Sequence, residues 1–137
     1  MYNIIEITEN NIELLNNFIL NNTFSNTFRY FNKRKVDVIK NHIITLLLIE
    51  NNIPIGYSHI DYDINYWFGI CILDNYQNKG YGTILMNYIF NNTKIKELNN
   101  IYLTVDKINI NAIKLYLKFN FKIISETLTY YTMIKIN

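Results

Sequence analysis

The chain has 137 residues, of which 50% are hydrophobic and 18% charged, with a formal net charge of +2. This length suits a single domain spanning residues 1–137, and the apolar fraction excludes wholesale disorder. The 13 Lys and Arg residues are scattered, so no basic face predicts a nucleic-acid partner. One cysteine and two histidines argue against a disulfide framework and a metal centre, so no metal is expected.

The sequence also lacks the signals of membrane proteins. No segment reaches the roughly 18 apolar residues that a bilayer crossing needs. The N-terminus has neither the basic nor the apolar region of a signal peptide. We therefore expect a cytoplasmic protein without a membrane partner.

The first part of the chain predicts a strand, a helix, a loop and a second helix. Residues 3–7 alternate as in a short strand, and apolar residues over 11–21 recur at helical spacing. The segment 23–34 predicts a loop with unusually many aromatic residues. A second helix is predicted over 34–42.

The middle of the chain predicts an antiparallel meander of three strands, over 45–50, 53–61 and 66–73. The pair Asn51-Asn52 suits a two-residue hairpin turn because asparagine tolerates a positive φ. Another turn is predicted around 63–65. These short connections favour sequential pairing of the strands.

The last part of the chain adds two helices and three strands. Helices are predicted over 83–92 and 109–119, with a strand over 101–106 between them. Strands over 121–125 and 130–136 follow. The element order βααβββαβαββ predicts a mixed α/β (α+β) fold, in which four helices flank a mostly antiparallel sheet of about seven strands.

The segment Gln77-Asn78-Lys79-Gly80-Tyr81-Gly82-Thr83 follows an apolar strand and opens an amphipathic helix. Two glycines separated by one residue let backbone amides approach a ligand closely, and the helix start adds unpaired N–H groups. This combination predicts a pyrophosphate site. The spacing differs from a Walker A loop and lacks the third glycine of a dinucleotide fingerprint. A tight turn without a ligand remains the structural alternative.

The surrounding residues resemble the GNAT superfamily of acyl-CoA N-acyltransferases. The family signature Q/R-x-x-G-x-G/A is matched by Gln77, Gly80 and Gly82. A second family pattern, N-x-x-A-x-x-L-Y-x-K-x-G-F, is matched by Asn109, Ala112, Leu115, Tyr116, Lys118 and Phe121. The family glycine of this pattern is Asn120 here, which tolerates a left-handed turn better than most residues.

The resemblance implies the GNAT fold and acetyl-CoA as the acyl donor. In this family the pantetheine arm pairs with the strand before the signature, and backbone amides of the signature hold the pyrophosphate. Carried over to this sequence, the coenzyme-binding residues are Ile70, Cys71, Ile72, Gln77, Asn78, Lys79, Gly80, Tyr81, Gly82, Thr83 and Asn109.

The resemblance also implies direct attack of an amine on the thioester. Tyr116 matches the tyrosine that gives a proton to the coenzyme sulfur, whereas its spacing alone would favour a core aromatic. Some relatives use a glutamate at the position of Thr104, which cannot act as a base. His59 is a candidate base, and Asp61, on the same strand face, is a candidate base or a residue that orients the base. The alternatives are a half-exposed polar strand face and loss of the proton to a water chain or to solvent. Cys71 is expected to be a buried, inert thiol.

The acceptor is predicted to be a small-molecule amine bound by Arg29, Tyr30, Phe31, Tyr57 and His59. This part of the chain is similar to a GNAT subgroup that acetylates amino sugars, which implies a nucleotide-linked amino sugar. The aromatic loop residues would otherwise only seal the helices onto the sheet. Peptide or polyamine acetylation, and a non-catalytic CoA-binding module, are the alternatives. A homodimer and a fusion to another enzyme domain both stay open.

Overall fold

Seven strands form one sheet in the order β1-β2-β3-β4-β5-β7-β6 in the computed structural model, which describes all 137 residues. The strands are β1 (Tyr2–Glu6), β2 (His42–Glu50), β3 (Ile53–Asp63), β4 (Asn65–Ile72), β5 (Ile101–Asp106), β6 (Lys122–Glu126) and β7 (Tyr130–Lys135). The α-helices are α1 (Ile12–Leu20), α2 (Tyr81–Phe90), α3 (Thr93–Lys96) and α4 (Ile110–Lys118). None of them has the length and hydropathy to cross a membrane. The predicted mixed α/β fold is confirmed.

Two details of the predicted element order are wrong. The helix predicted over 34–42 is a 3-10 segment, Val36–Asn41, and His42 already belongs to β2. The run that follows is rich in β-branched residues, which favour an extended backbone over a helix. The fourth α-helix is instead the short α3, whose first amides are capped by the Asn92 side chain.

The sheet carries a hydrophobic cluster on each face because successive strand residues point to opposite sides. On one face Leu46 and Leu48 pack in a large cluster with residues of α2, α4 and β5. On the other face Leu47 packs with Leu15 and Phe18 of α1. The three leucines of β2 are fully buried. β2 is therefore covered on both faces, and the fold is three layers thick.

The parallel pair β4 and β5 is the one irregular place in the sheet. Every other neighbouring pair is antiparallel. β4 and β5 pair only at Tyr66 with Ile101 and at Trp67 with Tyr102. β4 then continues to Ile72 without its neighbour, and the two strands diverge. The divergence opens the middle of the sheet at the carboxyl ends of both strands.

The end of α4 has the hydrogen bonds of a Schellman motif. Asn120 adopts φ +70°, and its N–H donates to the carbonyl of Leu117. The next N–H, of Phe121, donates to the carbonyl of Tyr116 at 3.1 Å. The rings of Phe121 and Tyr116 also pack, with centroids 6.0 Å apart. This turn therefore fixes Tyr116 to the strand that follows.

We expect Asn120→Ala to lower the free energy of unfolding by roughly 1 kcal/mol, because a Cβ without a compensating side chain disfavours the left-handed conformation. Asn120→Gly is the matched control and is expected to retain or increase stability. Urea unfolding of the three proteins measures the difference. Equal stability of the alanine and glycine variants would contradict the role of this φ angle.

Candidate active site

The large cleft lies where β4 and β5 diverge and has a volume of about 660 Å³. Its walls are Phe68–Ile72 of β4, the loop before α2, the end of β5, and α4. Past Trp67 the backbone of β4 has no pairing with β5, so its polar groups on that edge are available to a ligand. The cleft therefore suits an extended molecule that can add to a strand.

The loop before α2 forms one end of the large cleft, and its backbone has the features of an anion-binding site. Asn78 and Gly80 both adopt a positive φ, of +62° and +87°. The bond from the Ile84 N–H to the Gly80 carbonyl leaves the amides of residues 81–83 without helical partners. The Gln77 side chain donates to the Ile72 carbonyl at 3.0 Å and so ties the loop to the end of β4. These free amides at a helix start suit a phosphate group.

Gly82 lies where α2 approaches α4. A Cβ built at this position would lie 3.1 Å from Leu115 Cδ2, tighter than ordinary van der Waals contact. Across the same gap the side-chain amide of Asn111 donates to Asn78 Oδ1 at 3.3 Å. Asn109 caps α4 by accepting a bond from the Ala112 N–H. The glycine therefore sets the width of the cleft. The Asn111–Asn78 bond links α4 to the loop before α2, and Asn109 fixes the start of α4.

Tyr116 and Cys71 both line the large cleft. The Tyr116 side chain is buried, and its hydroxyl makes no hydrogen bond within the protein. Burial raises the pKa of Tyr116, so the phenol keeps its proton until a stronger base appears. Burial also raises the pKa of the Cys71 thiol to about 12, so it is protonated near neutral pH and a poor nucleophile.

The small cavity adjoins the large cleft and has a volume of about 360 Å³. Five residues line both spaces, namely Thr27, Phe28, Phe68, Gly69 and Thr104. A ligand bound at the inner end of the large cleft would therefore contact a second ligand bound in the small cavity. The predicted residues His59, Asp61, Tyr30 and Arg29 line this cavity.

A polar cluster is buried in the wall of the small cavity. The His59 Nδ1 atom lies 2.8 Å from the Tyr57 hydroxyl, and its Nε2 lies 3.7 Å from Asp61 Oδ2. The Tyr30 hydroxyl donates to the same Asp61 oxygen at 3.0 Å. A Cβ at Gly69 would lie only 2.5 Å from His59 Cε1. Gly69 therefore leaves the space that the His59 ring fills.

His42, His59 and Asp61 offer ligand atoms within 4.8 Å of one another, which is the arrangement of a candidate metal site. The two imidazole rings, however, stack with an interplanar angle of 16° and centroids 4.7 Å apart. A ring nitrogen binds a metal in the plane of its ring, and two stacked, nearly parallel rings cannot meet one ion in this way. The arrangement favours a hydrogen-bonded cluster.

The structure separates the other predicted acceptor residues. Phe31 and Tyr57 belong to the smaller hydrophobic cluster, with ring centroids 5.0 Å apart, and neither lines the large cleft or the small cavity. The Arg29 guanidinium makes two 2.9 Å bonds to Asp106, which balance its charge. Lys79 lies over the Tyr76 ring, outside the large cleft.

The small cavity also contains residues that sequence reasoning missed. They are Arg34, Asp63, Trp67 and Asp106. Arg34 lies over the Tyr30 ring at 4.4 Å and donates to the Tyr30 carbonyl. Asp63 continues the alternation of the polar strand face that holds His59 and Asp61, and this pattern was its available signal. Asp106 forms an ion pair with Arg29, which is 77 positions away in the sequence, so no local pattern indicated that Asp106 belongs to this cavity.

The family model of the acetyltransferase (GNAT) family matches residues 13–121. The chain therefore belongs to this family of N-acetyltransferases, which use acetyl-CoA. The free amides and the open edge of β4 fit that coenzyme. No curated protein matches the chain at a significant level.

Solved structures resemble the whole chain. A GNAT-family acetyltransferase from Streptococcus pneumoniae superimposes with a TM-score of 0.78 at 21% identity, covering 100% of both chains. The ribosomal-protein-S18-alanine N-acetyltransferase from Escherichia coli gives 0.74 at 14% identity, over 99% of this chain and 94% of that one. Spermidine N-acetyltransferase from Vibrio cholerae, solved with CoA and spermine, gives 0.72 at 16% identity, over 98% and 95%. At these identities the likeness establishes the fold alone.

We expect Gly82→Val to weaken acetyl-CoA binding roughly tenfold, because a side chain that overlaps Leu115 forces α2 and α4 apart and displaces the free amides at the start of α2. Isothermal titration calorimetry with acetyl-CoA measures the affinity. Asn87→Val, at an exposed position of the same helix, is the matched control for the helix propensity of valine. Normal affinity of the Gly82 variant would show that the coenzyme does not use this gap.

Proposed function

We propose that the chain, as a single domain over residues 1–137, transfers the acetyl group of acetyl-CoA to the primary amine of an amino sugar. The observation that carries this proposal is the meeting of the large cleft and the small cavity at Phe68, Gly69 and Thr104. A thioester lying along β4 would present its carbonyl carbon at this junction. An amine in the small cavity would approach the same carbon, so transfer needs no covalent enzyme intermediate.

The proposed reaction forms a C–N bond and breaks the C–S bond of the thioester. The leaving sulfur needs a proton, and Tyr116 is the candidate donor because its hydroxyl lines the large cleft without a partner in the protein. The attacking nitrogen must lose a proton, which the pair of His59 and Asp61 is in position to accept. Cys71 takes no part because its raised pKa keeps it a thiol.

We expect Tyr116→Phe to lower kcat by at least about tenfold, because the leaving thiolate loses its proton donor. The affinity for acetyl-CoA is expected to stay within about twofold, since the ring is retained. Thiol release and calorimetry measure the two quantities. Tyr88→Phe, on the exposed side of α2, is the matched control. Unchanged kcat in the Tyr116 variant would remove this residue from the acid role.

The chemistry of the small cavity supports an amino sugar. The charges of Arg29 and Asp106 cancel each other in their ion pair. The remaining charged residues of the small cavity are one cation, Arg34, and two carboxylates, Asp61 and Asp63. This excess of negative charge favours an ammonium group, and the same carboxylates accept hydrogen bonds from hydroxyls. Trp67 adds an aromatic face suited to the apolar side of a sugar ring. The volume of about 360 Å³ lies in the range of small-molecule sites.

The acceptor class is tested by thiol release from acetyl-CoA with four amines. These are glucosamine, a UDP-linked 4-amino-4,6-dideoxyhexose, spermidine and a peptide with N-terminal alanine. We expect the highest kcat/KM with one of the two sugars. A preference of tenfold or more for spermidine or for the peptide would overturn the sugar assignment and retain acetyl transfer. Tight acetyl-CoA binding without turnover on any amine would favour a non-catalytic CoA-binding module.

A further inference from the structure

We propose that Asp61 accepts the proton of the attacking amine and that Tyr30 and His42 are its positioning residues, linked in a directed chain of hydrogen bonds from Thr45. The proposal rests on the proposed acetyl transfer and deepens it, because the sequence left His59 as a candidate base and Asp61 as either a base or an orienting residue. The chain crosses from β2 through the aromatic loop to β3.

The direction of this chain follows from the number of protons available. The Tyr30 hydroxyl has one proton and donates it to Asp61 Oδ2 at 3.0 Å. Its 2.7 Å contact with His42 Nε2 must therefore be a bond that the imidazole N–H donates. The other nitrogen of a neutral His42, Nδ1, then accepts from the Thr45 hydroxyl at 2.7 Å. Burial lowers the pKa of His42 to about 4, which keeps the ring neutral near pH 7.

A separate hydrogen bond, between Tyr57 and His59, fixes the tautomer of His59. The Tyr57 hydroxyl is fully buried and has His59 Nδ1 as its one partner, at 2.8 Å. If His59 donated this bond, the buried Tyr57 proton would have no acceptor, so Tyr57 donates. The His59 proton then lies on Nε2, 3.7 Å from Asp61 Oδ2. Burial lowers the pKa of His59 well below its ordinary value, and its ring has no free lone pair to act as a base.

The chain from Thr45 therefore ends in a proton donated to Oδ2 of Asp61, while Oδ1 is buried without any partner. The His59 Nε2–H lies near the same oxygen, at 3.7 Å and so beyond hydrogen-bond distance. A carboxylate with an unpartnered buried oxygen gains free energy when it takes up a proton. Burial raises the pKa of Asp61, and the bond from Tyr30 opposes that rise. The Asp61 side chain still has 16% of its surface exposed, on the wall of the small cavity. Since Oδ1 is buried, an amine in the small cavity would meet the carboxylate at Oδ2, which keeps its bond from Tyr30.

The proton balance of the step is complete without another reactant. An N–H bond of the bound ammonium breaks and an O–H bond forms on the Asp61 carboxylate, which becomes neutral. The freed nitrogen lone pair forms the C–N bond to the acetyl carbon as the C–S bond breaks. The second N–H proton leaves the nitrogen as the amide forms, and it replaces the proton that Tyr116 gives to the leaving sulfur, so that one proton in total stays on Asp61. The titratable or charged groups around Asp61 are Arg29, Tyr30 and Arg34 of the loop, His42 of β2, Tyr57, His59 and Asp63 of β3, and Asp106 of β5.

The test is a ¹³C NMR titration of the protein labelled at aspartate Cγ, which needs no acceptor. The chain has five aspartates, and Asp61→Asn identifies the signal of Asp61. We expect Tyr30→Phe to raise the titration midpoint of Asp61 by about one pH unit, because the removed hydrogen bond favours the charged form. Tyr62→Phe is the matched control, since the Tyr62 hydroxyl is exposed and outside the cluster. An unmoved midpoint in folded Tyr30→Phe overturns the chain.

His42 supplies a rescue test. We expect His42→Phe to raise the same midpoint by less than Tyr30→Phe does, because Tyr30 keeps its bond to Asp61 but loses its own donor. His42→Gln retains an N–H donor and is expected to restore the midpoint. A purely structural role of His42 would leave the midpoint unchanged in both variants, and that result overturns the assignment.

Turnover separates this inference from the proposed function. With the amine that gives the fastest thiol release, we expect the acidic limb of kcat/KM to shift to higher pH in Tyr30→Phe, by the amount seen in the titration. Asp61→Asn is expected to lower kcat/KM by at least about 10²-fold. Wild-type turnover in Asp61→Asn overturns the proton-acceptor role. Absence of wild-type turnover on any amine instead overturns acetyl transfer, while the titration still reports on the hydrogen-bond chain.

Discussion

Two parallel strands that separate after two residue pairs create the functional part of this molecule. If β4 and β5 stayed paired to their ends, the sheet would be closed and neither cavity would exist. The divergence exposes an edge of backbone N–H and C=O groups in the interior of a sheet, where unpaired groups are costly. An extended ligand with amide groups satisfies that edge. The open edge of β4 therefore suits the amide-containing arm of the coenzyme that the proposed function lays along it.

The two faces of the sheet divide the work of the site. On β4, Phe68, Ile70 and Ile72 face the cluster built with α2 and α4, which forms the wall for the coenzyme. Gly69 and Cys71 face the opposite side, opposite His59 and Tyr57 of β3. Because Gly69 has no Cβ, the His59 ring can lie over the backbone of β4. One glycine thus brings the polar cluster up to the strand along which the thioester is expected to lie.

The part of the site that the sequence predicts is the part with local backbone requirements. A few residues suffice to predict each of these features. Gly80 predicts a turn, Gly82 predicts a close approach of the backbone to a neighbour, and the α4 pattern predicts the end of a helix. The aromatic loop is different, because its residues are alike in sequence and its packing decides their roles. Tyr30 faces the small cavity, whereas Phe31 beside it packs against Tyr57 in the core. Side chains in a loop do not alternate between buried and exposed positions with a fixed period. The sequence pattern therefore cannot distinguish the role of Tyr30 from that of Phe31.

The helix predicted over 34–42 is wrong for a similar reason, because contacts distant in the sequence determine the structure of this segment. Its apolar residues fit a helical period, yet the segment runs from a 3-10 turn directly into β2. The strand start places His42 next to Thr45 and Tyr30, and a helix would have carried its side chain elsewhere. The pairing of His42 with Asp61 across β2 and β3 favours the strand over the helix. A short stretch of sequence does not reveal such long-range pairing. The positioning residues proposed for Asp61 were therefore the least accessible to sequence reasoning.

Asparagine performs in this chain much of the conformational work that glycine usually performs. The chain has only four glycines, and one of them adopts a positive φ. Six other residues do so, and five of these are asparagines, at positions 51, 52, 78, 100 and 120. Asparagine pays a smaller steric penalty there than other residues with a Cβ, and it keeps a side chain that can bond. Asn78 uses both properties, since its positive φ turns the loop before α2 and its side chain accepts the bond from Asn111 of α4. A glycine at position 78 would make the turn and leave the two walls of the cleft unlinked.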